Sequence, residues 1–386
     1  MRTVLSVFLL LVTSQMASAQ VDYFDYADEG QTIVSGVSPE GVAKVKAEKE
    51  LTIPRQVVKV LYNAFASLQN LSDMTIDGGN PEFEMQDGRN ALSDVRKWLT
   101  AITINGSGMT TANIGTMLDG LGADNHIETI DIYNEAFPFD ASITTTASLT
   151  KARVVLPASR VDSQQIGGAK IYGRFTMKEG AELATFCGNA RFYDENDGSN
   201  FLFYIPTEVV EQQEEKRIHI QRVRYILPYQ GILMHHTENS TFTVSLPRVD
   251  EEPDNDNEQY EADKTRFAGN MLVGVTEPTD IGNITVKDGE AYVNMILKNG
   301  FFYPTLGGTL GANRAYLQVK QSDLQNARIG IAFGEEDEAT NIHPHTSEGT
   351  HQTSTFNHQP SQWYTFSGQR LADRPRQPGF YKKVKK

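Results

Sequence analysis

The stretch LTIPRQVVKVLYNAFASLQNLSDMTI, residues 51–76, combines two hydrophobic periods in one short unit. The apolar residues of its first part recur at three- and four-residue spacing, which predicts one face of a helix. These residues are Val57, Leu61, Ala64, Phe65 and Leu68. The next apolar residues alternate with polar ones, which predicts a strand. They are Leu71, Met74 and Ile76.

The same helix–strand unit recurs further along the chain. The second unit contains Leu92, Val95, Trp98, Leu99, Ile102 and Ile104, and the third contains Ile114, Met117, Leu118, Leu121, Ile127, Ile130 and Ile132. A fourth, weaker strand spans 149–156. The equivalent strand positions are Met74, Ile102, Ile130 and Val154, at spacings of 28, 28 and 24 residues (102 − 74, 130 − 102, 154 − 130). This period is typical of leucine-rich repeats, whose units stack and share a core, although an ordinary α/β domain with accidental spacing is the alternative.

The polar positions of these strands are the predicted binding residues. Side chains alternate across a strand, so polar residues face outward if the apolar ones face the core. The predicted ligand contacts are Thr75, Asp77, Thr103, Asn105, Thr129, Asp131 and Tyr133.

From about residue 180 the pattern changes to short strands separated by turns, which is typical of a β-sandwich or barrel. The predicted strands are 183–186, 200–205, 218–227, 231–234, 241–246, 270–275, 291–297, 300–303, 315–319 and 329–333. The acidic run 250–263 predicts a solvated loop, with calcium at Asp254, Asp256 and Glu258 as an alternative.

Both ends of the chain carry features of export. Residues 1–19 have a positive start, a short apolar run and an Ala-x-Ala site, which predict a removable signal peptide. Residues 20–50 form an acidic, aromatic leader, and residues 335–361 are polar and predict a flexible linker. Residues 362–386 are strongly basic and contain aromatic clusters.

Composition excludes several classes of function. The formal net charge of −14, or −15 without Arg2, is unfavourable for binding nucleic acid. No apolar stretch is long enough to cross a bilayer, and the short run of the signal peptide has about half the necessary length. The single cysteine, Cys187, lies in an apolar stretch and predicts a core residue.

Three segments resemble secreted and surface proteins of the Bacteroidetes. Leu51-Thr52-Ile53-Pro54 with the apolar residues that follow is similar to a BspA-like leucine-rich repeat. The β-rich part is similar, in the order of its motifs, to a module common behind such repeats. Residues 363–371, with Pro378-Gly379-Phe380-Tyr381 and the terminal lysines, resemble the C-terminal sorting domain of type IX secretion. The resemblance implies a secreted or cell-surface protein whose tail contacts the export machinery.

No enzyme motif is present, so we predict that the chain is not an enzyme and has no cofactor. His343, His345, His351 and His358 could bind a metal by spacing, but a polar linker favours no site. His235 and His236 predict partly exposed structural histidines. The aromatic residues of the strands near 201–204 and 301–303 are predicted to lie in the core, with a carbohydrate-stacking face as the alternative.

The predicted fold is α+β: a short helix–strand leucine-rich-repeat solenoid over 51–178 and a sandwich-like β-rich module over 179–334. The predicted function is recognition or adhesion at the outer surface or in the medium. The ligand would be a host or neighbouring-cell protein, or another extended ligand, bound by the repeat face. The alternatives are a glycan-binding or hydrolase-associated accessory protein acting through the β-rich module, and a structural surface component without a ligand.

Overall fold

A computed structural model describes most of the chain. It covers residues 23–105, 108–133, 142–162, 164–195, 201–212, 215–236, 242–254, 256–324 and 328–333, with the backbone of 362–365, 370–371 and 381–384. The predicted signal peptide and the predicted linker lie outside the described residues. The chain divides into two units, Met1–Asn341 and Ile342–Lys386.

The first part of the larger unit consists of short strands with three helices between them. In chain order these are β1 (Phe24–Tyr26), β2 (Ile33–Val37), α1 (Pro39–Glu48), β3 (Glu50–Ile53), β4 (Lys59–Val60), β5 (Asp73–Asp77), β6 (Glu82–Phe83), α2 (Leu92–Val95), β7 (Ala101–Asn105), α3 (Thr111–Asp119), β8 (Thr129–Ile132), β9 (Arg153–Pro157) and β10 (Lys170–Met177).

The second part is dominated by strands and contains one further helix. Its elements are β11 (Leu183–Phe186), β12 (Phe192–Tyr193), β13 (Phe201–Gln212), β14 (Glu215–Arg222), β15 (Tyr225–Ile226), β16 (Ile232–His236), β17 (Phe242–Pro247), α4 (Glu258–Phe267), β18 (Leu272–Val275), β19 (Thr279–Ile281), β20 (Ile284–Lys287), β21 (Glu290–Lys298), β22 (Phe301–Pro304), β23 (Gly308–Leu310), β24 (Arg314–Lys320) and β25 (Gly330–Phe333). The predicted mixture of α and β structure is therefore confirmed, in a β-rich form.

One seven-stranded sheet organises the first part, in the order β17-β10-β9-β8-β7-β5-β3. All neighbours are parallel except β10 and β17. The four strand positions predicted to be equivalent are direct partners in the register, since Met74 pairs with Ile102, Ile102 with Ile130 and Ile130 with Val154. All four side chains are buried, so one strand from each predicted helix–strand unit contributes to the same core.

The helix predicted over 57–68 is not formed, and this prediction was wrong. Its start contains the β-branched Val57, Val58 and Val60, which disfavour helix, and the chain forms the short strand β4 instead. β4 pairs in parallel with β2 and β6 in a smaller sheet. Successive three-residue turns then follow. The amide of Ala66 donates to the Asn63 carbonyl at 3.1 Å, and the amide of Leu68 donates to the Phe65 carbonyl at 2.9 Å.

The other two predicted helices are present with different lengths. In the second predicted helix–strand unit, α2 has four residues, and turns follow it as far as the buried Leu99. In the third unit α3 spans nine residues, and the Thr110 side chain caps it by accepting a hydrogen bond from the Asn113 amide at 3.2 Å. The predicted apolar face of α3 is buried.

Asparagine side chains join successive turns of the first part. Asn90 is fully buried, and its Nδ2 donates to the carbonyls of Thr116 and Met117 at 2.7 and 3.0 Å. Asn125 similarly donates from Nδ2 to the Ser148 carbonyl at 2.9 Å. These bonds give partners to backbone carbonyls at the ends of turns, and the Met117 carbonyl also accepts from the Gly120 amide at 3.2 Å.

The hydrophobic core continues from the first part into the second. β17 pairs with β10 along six residues and adds an antiparallel strand to the parallel sheet. The ring of Phe175 on β10 lies 5.1 Å from Phe186, 5.1 Å from Phe192 and 5.2 Å from Phe203, all edge-on. One aromatic cluster therefore spans residue 178, where the sequence pattern changes.

Two five-stranded sheets make up most of the second part. The first has the order β11-β16-β13-β14-β25, and in the second β18, β24, β21 and β20 follow one another while β22 also pairs with β21. Each strand predicted in this region coincides at least partly with an observed strand.

The smaller unit contains a three-stranded antiparallel sheet formed by β26 (Gln362–Thr365), β27 (Arg370–Leu371) and β28 (Tyr381–Val384), with β26 in the centre. Across the described residues, no helix combines the length and apolar content that a membrane span requires.

Candidate functional site

The outward face of the seven-stranded sheet carries the predicted binding residues. Thr75 on β5 pairs with Thr103 on β7, and Thr103 pairs with Asp131 on β8. Neighbouring strands are about 4.8 Å apart, so these side chains form a continuous polar row. Thr52 on β3 pairs with Thr75 and extends the row by one strand.

The remaining predicted residues flank this row. Asp77 and Asn105 are direct partners, and Thr129 pairs with Ala101. Tyr133 follows β8, and its amide donates to the Ile104 carbonyl at 2.9 Å. Asp77 and Tyr133 are exposed, the latter at 48%, and the others are half-buried. The structure therefore brings all seven predicted residues onto one face.

Sequence reasoning missed the charged residues on the same face. One register row, which we call the charged row, crosses six strands from β3 to β10. It consists of Glu50, Asp73, Ala101, Thr129, Arg153 and Lys170. The two acids occupy one end and the two bases the other, and all four charged side chains are exposed. Continuing the strand alternation to the first residue of every strand would have found them.

Two arginine–tyrosine pairs cover the basic end of the face. The guanidinium of Arg153 lies 4.5 Å from the ring centre of Tyr172, and that of Arg174 lies 3.9 Å from Tyr133. Arg174 also forms an ion pair with Asp131 and donates from Nη1 to the Ile132 carbonyl at 2.8 Å. Burial lowers the pKa of Arg174 to about 10, so the side chain stays charged at neutral pH. Tyr133 and Asp131 are thus held in place by a buried cation.

A second polar surface lies in the β-rich part. A cavity of about 600 Å³ lies between the β13–β14 hairpin and strands of the second five-stranded sheet. Its lining includes Lys216, Lys287, Tyr292, Gln318 and Lys320 together with three acids. The Lys287 ammonium donates to Gln318 Oε1 at 2.5 Å, and Gln318 Nε2 donates to Asn294 Oδ1 at 2.8 Å. The amide of Gln318 is therefore fixed on one wall of the cavity.

Four of the six aromatic residues predicted for the core are buried, and the other two, Phe301 and Tyr303, are half-buried. Phe201, Phe203 and Tyr204 on β13 are fully buried, as is Phe302 on β22. Among the described residues between 201 and 320, Tyr229 is the one exposed aromatic side chain. An exposed row of aromatic rings, as expected for a carbohydrate-stacking face, is not formed by these residues.

His235 and His236 are buried, so the prediction of partly exposed histidines was wrong. Both lie on β16, which pairs with β11 and β13. Successive side chains of a strand point to opposite faces, and since both histidines are buried, both faces of β16 are covered. The His235 ring lies 5.2 Å from Phe333 and 6.1 Å from Tyr204. Burial, and secondarily the neighbouring His236, lower the pKa of His235 to about 4. His235 is therefore neutral at physiological pH. His343, His345, His351 and His358 lie outside the described residues.

We expect His235 to make the fold acid-sensitive. In the unfolded chain the pKa of this histidine is about 6.5. Above that pH the side chain is neutral in both states and protonation does not affect stability. As the pH falls towards 4, the unfolded state binds a proton that the folded state excludes, so the free energy of unfolding decreases progressively. Between pH 7 and pH 5 this one group should lower the free energy of unfolding by about 2 kcal/mol. Urea unfolding of wild type and of His235→Phe at both pH values measures this change in unfolding free energy. The exposed His126, changed to Gln, is the control, and an equal pH effect in His235→Phe would contradict the assignment.

The acidic run 250–263 is only partly a loop, which corrects the prediction. Asn257 caps α4 by accepting from the Tyr260 amide at 3.0 Å, and the helix begins at Glu258 because such a cap stabilises its first turn. Asp263 on this helix is fully buried, and its Oδ2 accepts from the amides of Arg224 and Tyr225 at 3.0 and 2.9 Å. In the described part of the chain, no group of three potential ligands has the arrangement of a metal site.

Cys187 is buried, as its apolar context predicts. Its sulfur lies where a side chain on Gly274 would collide with it, at 2.3 Å from an ideal Cβ. Burial raises the pKa of the thiol to about 11.

We expect Cys187 to be inert in the folded protein. A thiol with so high a pKa is almost entirely protonated at pH 7.5, so alkylation by iodoacetamide should be at least about a hundredfold slower than in urea-unfolded protein. Mass spectrometry of labelled protein measures the two rates. Equal labelling of folded and unfolded protein would show that the thiol is accessible and ionised.

The comparisons with known proteins give the chain no family. No family model matches it, and neither a curated protein nor a solved structure matches it significantly.

Proposed function

We propose that this chain is an exported recognition or adhesion protein that binds a protein or another extended ligand through the outward face of its seven-stranded sheet. The observation that carries this proposal is the continuous polar surface formed by in-register residues of adjacent strands, such as Thr52, Thr75 and Thr103. Polar rows on a rigid sheet position side chains for contacts without rearrangement, which reduces the entropic cost of binding.

The repeat architecture that we propose is a short leucine-rich-repeat solenoid of the BspA-like type. It is supported by the one-strand-per-unit register and by the row of buried apolar residues behind the polar face. Turn-to-turn bonds such as those of Asn90 also support stacked units. In a solenoid each unit is stabilised mainly by its neighbours, and the strand face is the usual binding surface.

The proposed location is the outer surface or the medium. It rests on the signal-like residues 1–19 and on the resemblance of residues 362–386 to a type IX sorting tail. The antiparallel pairing of β26 with β27 and β28 is compatible with a small folded sorting signal. The proposed partners are a host or neighbouring-cell protein and, for the tail, the export machinery.

Binding through the strand face is tested by introducing bulk and charge at its centre. Thr103→Arg in the chain from residue 20 should abolish attachment of cells to coated protein, because Thr103 is half-buried among polar neighbours in the row. Ser67→Arg places the same side chain on an exposed turn of the repeat region and should leave attachment unchanged. Undiminished attachment by Thr103→Arg would refute the proposal.

A second candidate function, glycan binding, is favoured by the polar cavity in the β-rich part. Tyr292 offers a ring for stacking on a sugar, and Lys287 and Gln318 offer a fixed donor and amide. A glycan array with wild type and Tyr292→Ala tests it. Glycan binding that is lost in Tyr292→Ala but retained in Thr103→Arg would favour this second function.

The export proposal has its own test. Deleting residues 362–386 and fractionating the native culture should move the protein from the surface or medium to the periplasm. An unchanged location would show that the tail does not direct export.

A further inference from the structure

The charged row has opposite signs at its two ends. From β3 to β10 its members carry the charges −, −, 0, 0, + and +, in the order Glu50, Asp73, Ala101, Thr129, Arg153 and Lys170. The centre of this pattern lies between β7 and β8. Reversing the direction of the row exchanges each acid with a base.

We infer that the occupant of this face is a second copy of the same chain, bound face to face. A two-fold axis that runs parallel to the strands, in the plane of the face and between β7 and β8, places Glu50 opposite Lys170 of the second copy and Asp73 opposite its Arg153. Because the arrangement is isologous, both contacts occur twice. Four pairs of opposite charge thus form from a row that has none within itself.

The charged residues are available for such contacts. All four are exposed, and within the described residues none of them forms an ion pair in its own chain. The guanidinium of Arg153 lies over the ring of Tyr172, and the Ser72 hydroxyl donates to Asp73. The central positions, Ala101 and Thr129, are small and leave room for close approach of two faces.

The size of the face predicts a weak complex. Six strands at about 4.8 Å spacing with at most three outward residues per strand give no more than roughly 400 Å² per molecule, because the outward Val155 and Arg174 are already buried within the chain. This area is at most about half of what a stable interface buries on each partner. We therefore expect a dissociation constant of roughly 0.1–1 mM in solution. Many copies displayed on a surface would bind one another more tightly than the isolated chains do.

This inference rests on the proposed function, since it names the partner of the same face. It makes recognition homophilic: the face on one cell binds the same face on a neighbouring cell. Association should weaken as salt rises, because the contacts are exposed ion pairs.

Charge reversal tests the inference by sedimentation equilibrium of the chain from residue 20. Glu50→Lys with Asp73→Lys makes the row entirely basic, and Arg153→Glu with Lys170→Glu makes it entirely acidic. Each double variant alone should dimerise about tenfold or more weakly than wild type, whereas their equimolar mixture should associate at least as strongly as wild type. Glu29→Lys with Glu179→Lys, two exposed acids outside the face, is the matched control and should dimerise like wild type.

Each outcome has one meaning. A wild-type chain that stays monomeric at millimolar concentration, or a mixture that shows no recovery, overturns the inference. The same preparations are assayed for cell attachment with Thr103→Arg as the reference. If Thr103→Arg abolishes attachment but the wild-type chain never dimerises, the proposed function stands. Only the second copy is then excluded as its partner. Attachment that is insensitive to Thr103→Arg refutes the proposed function itself.

Discussion

Replacing Asp263 with alanine is expected to lower the free energy of unfolding by about 4 kcal/mol, because a buried carboxylate with several donors would be lost. The side chain is fully buried and accepts from two backbone amides, those of Arg224 and Tyr225. It also accepts from Gln259 Nε2 and from Arg266 Nη1, each at 3.0 Å. Alanine leaves both amides without an acceptor and the Arg266 guanidinium without its carboxylate.

Chemical denaturation of the purified chain measures this loss. Asp254→Ala is the matched control, because Asp254 is an exposed member of the same acidic run. It should change stability by less than about 0.5 kcal/mol. If both variants lost the same stability, the effect would come from the net charge rather than from the buried hydrogen bonds.

Phe175→Ala is expected to lower the free energy of unfolding by about 3–5 kcal/mol, since it removes the ring at the centre of an edge-on aromatic cluster. Phe175 touches rings from three further strands, β11, β12 and β13, so the cavity cannot collapse without moving several elements. Both parts of the larger unit should lose stability together, because the cluster belongs to both. Pulse proteolysis with mass spectrometry measures each part separately.

The control for this variant is Tyr62→Ala, since Tyr62 is an aromatic residue of the first part with 36% exposure. The Tyr62→Ala variant should lose less than about 1 kcal/mol of unfolding free energy. Loss of protection against proteolysis in the first part alone, with 183–333 unaffected, would contradict the shared core.

Most of the longer strands of this protein were predictable, whereas the eight-residue β10 was missed and the helices were predicted only in part. Strand positions such as Met74, Ile102 and Ile130 follow from alternation, which reports directly on which face is buried. The region 57–68 has helical spacing of apolar residues, but successive turns with a three-residue period bury nearly the same positions. Spacing alone cannot separate these two structures, and the β-branched residues at its start decide between them.

The candidate face was found from sequence, but its charge pattern and its buried ions were not. Glu50 and Lys170 come from strands 120 residues apart (170 − 50), and only the register shows that they share a row. The role of Asp263 depends on amides 38 and 39 residues before it in the chain. An acidic run predicts solvation on average, and the burial of one of its members is a property of tertiary contacts.

The antiparallel pairing of β17 with β10 sets an order of events during synthesis of the chain. Phe242 pairs with Met177, 65 residues earlier (242 − 177). A chain that emerges with its N-terminus first therefore presents the edge of β10, with its unpaired amides and carbonyls, for the time that these 65 residues need to emerge. During that interval the edge can pair with another chain instead. Rapid delivery of the segment up to residue 247 is thus a requirement for correct assembly, and a pause within it should increase aggregation.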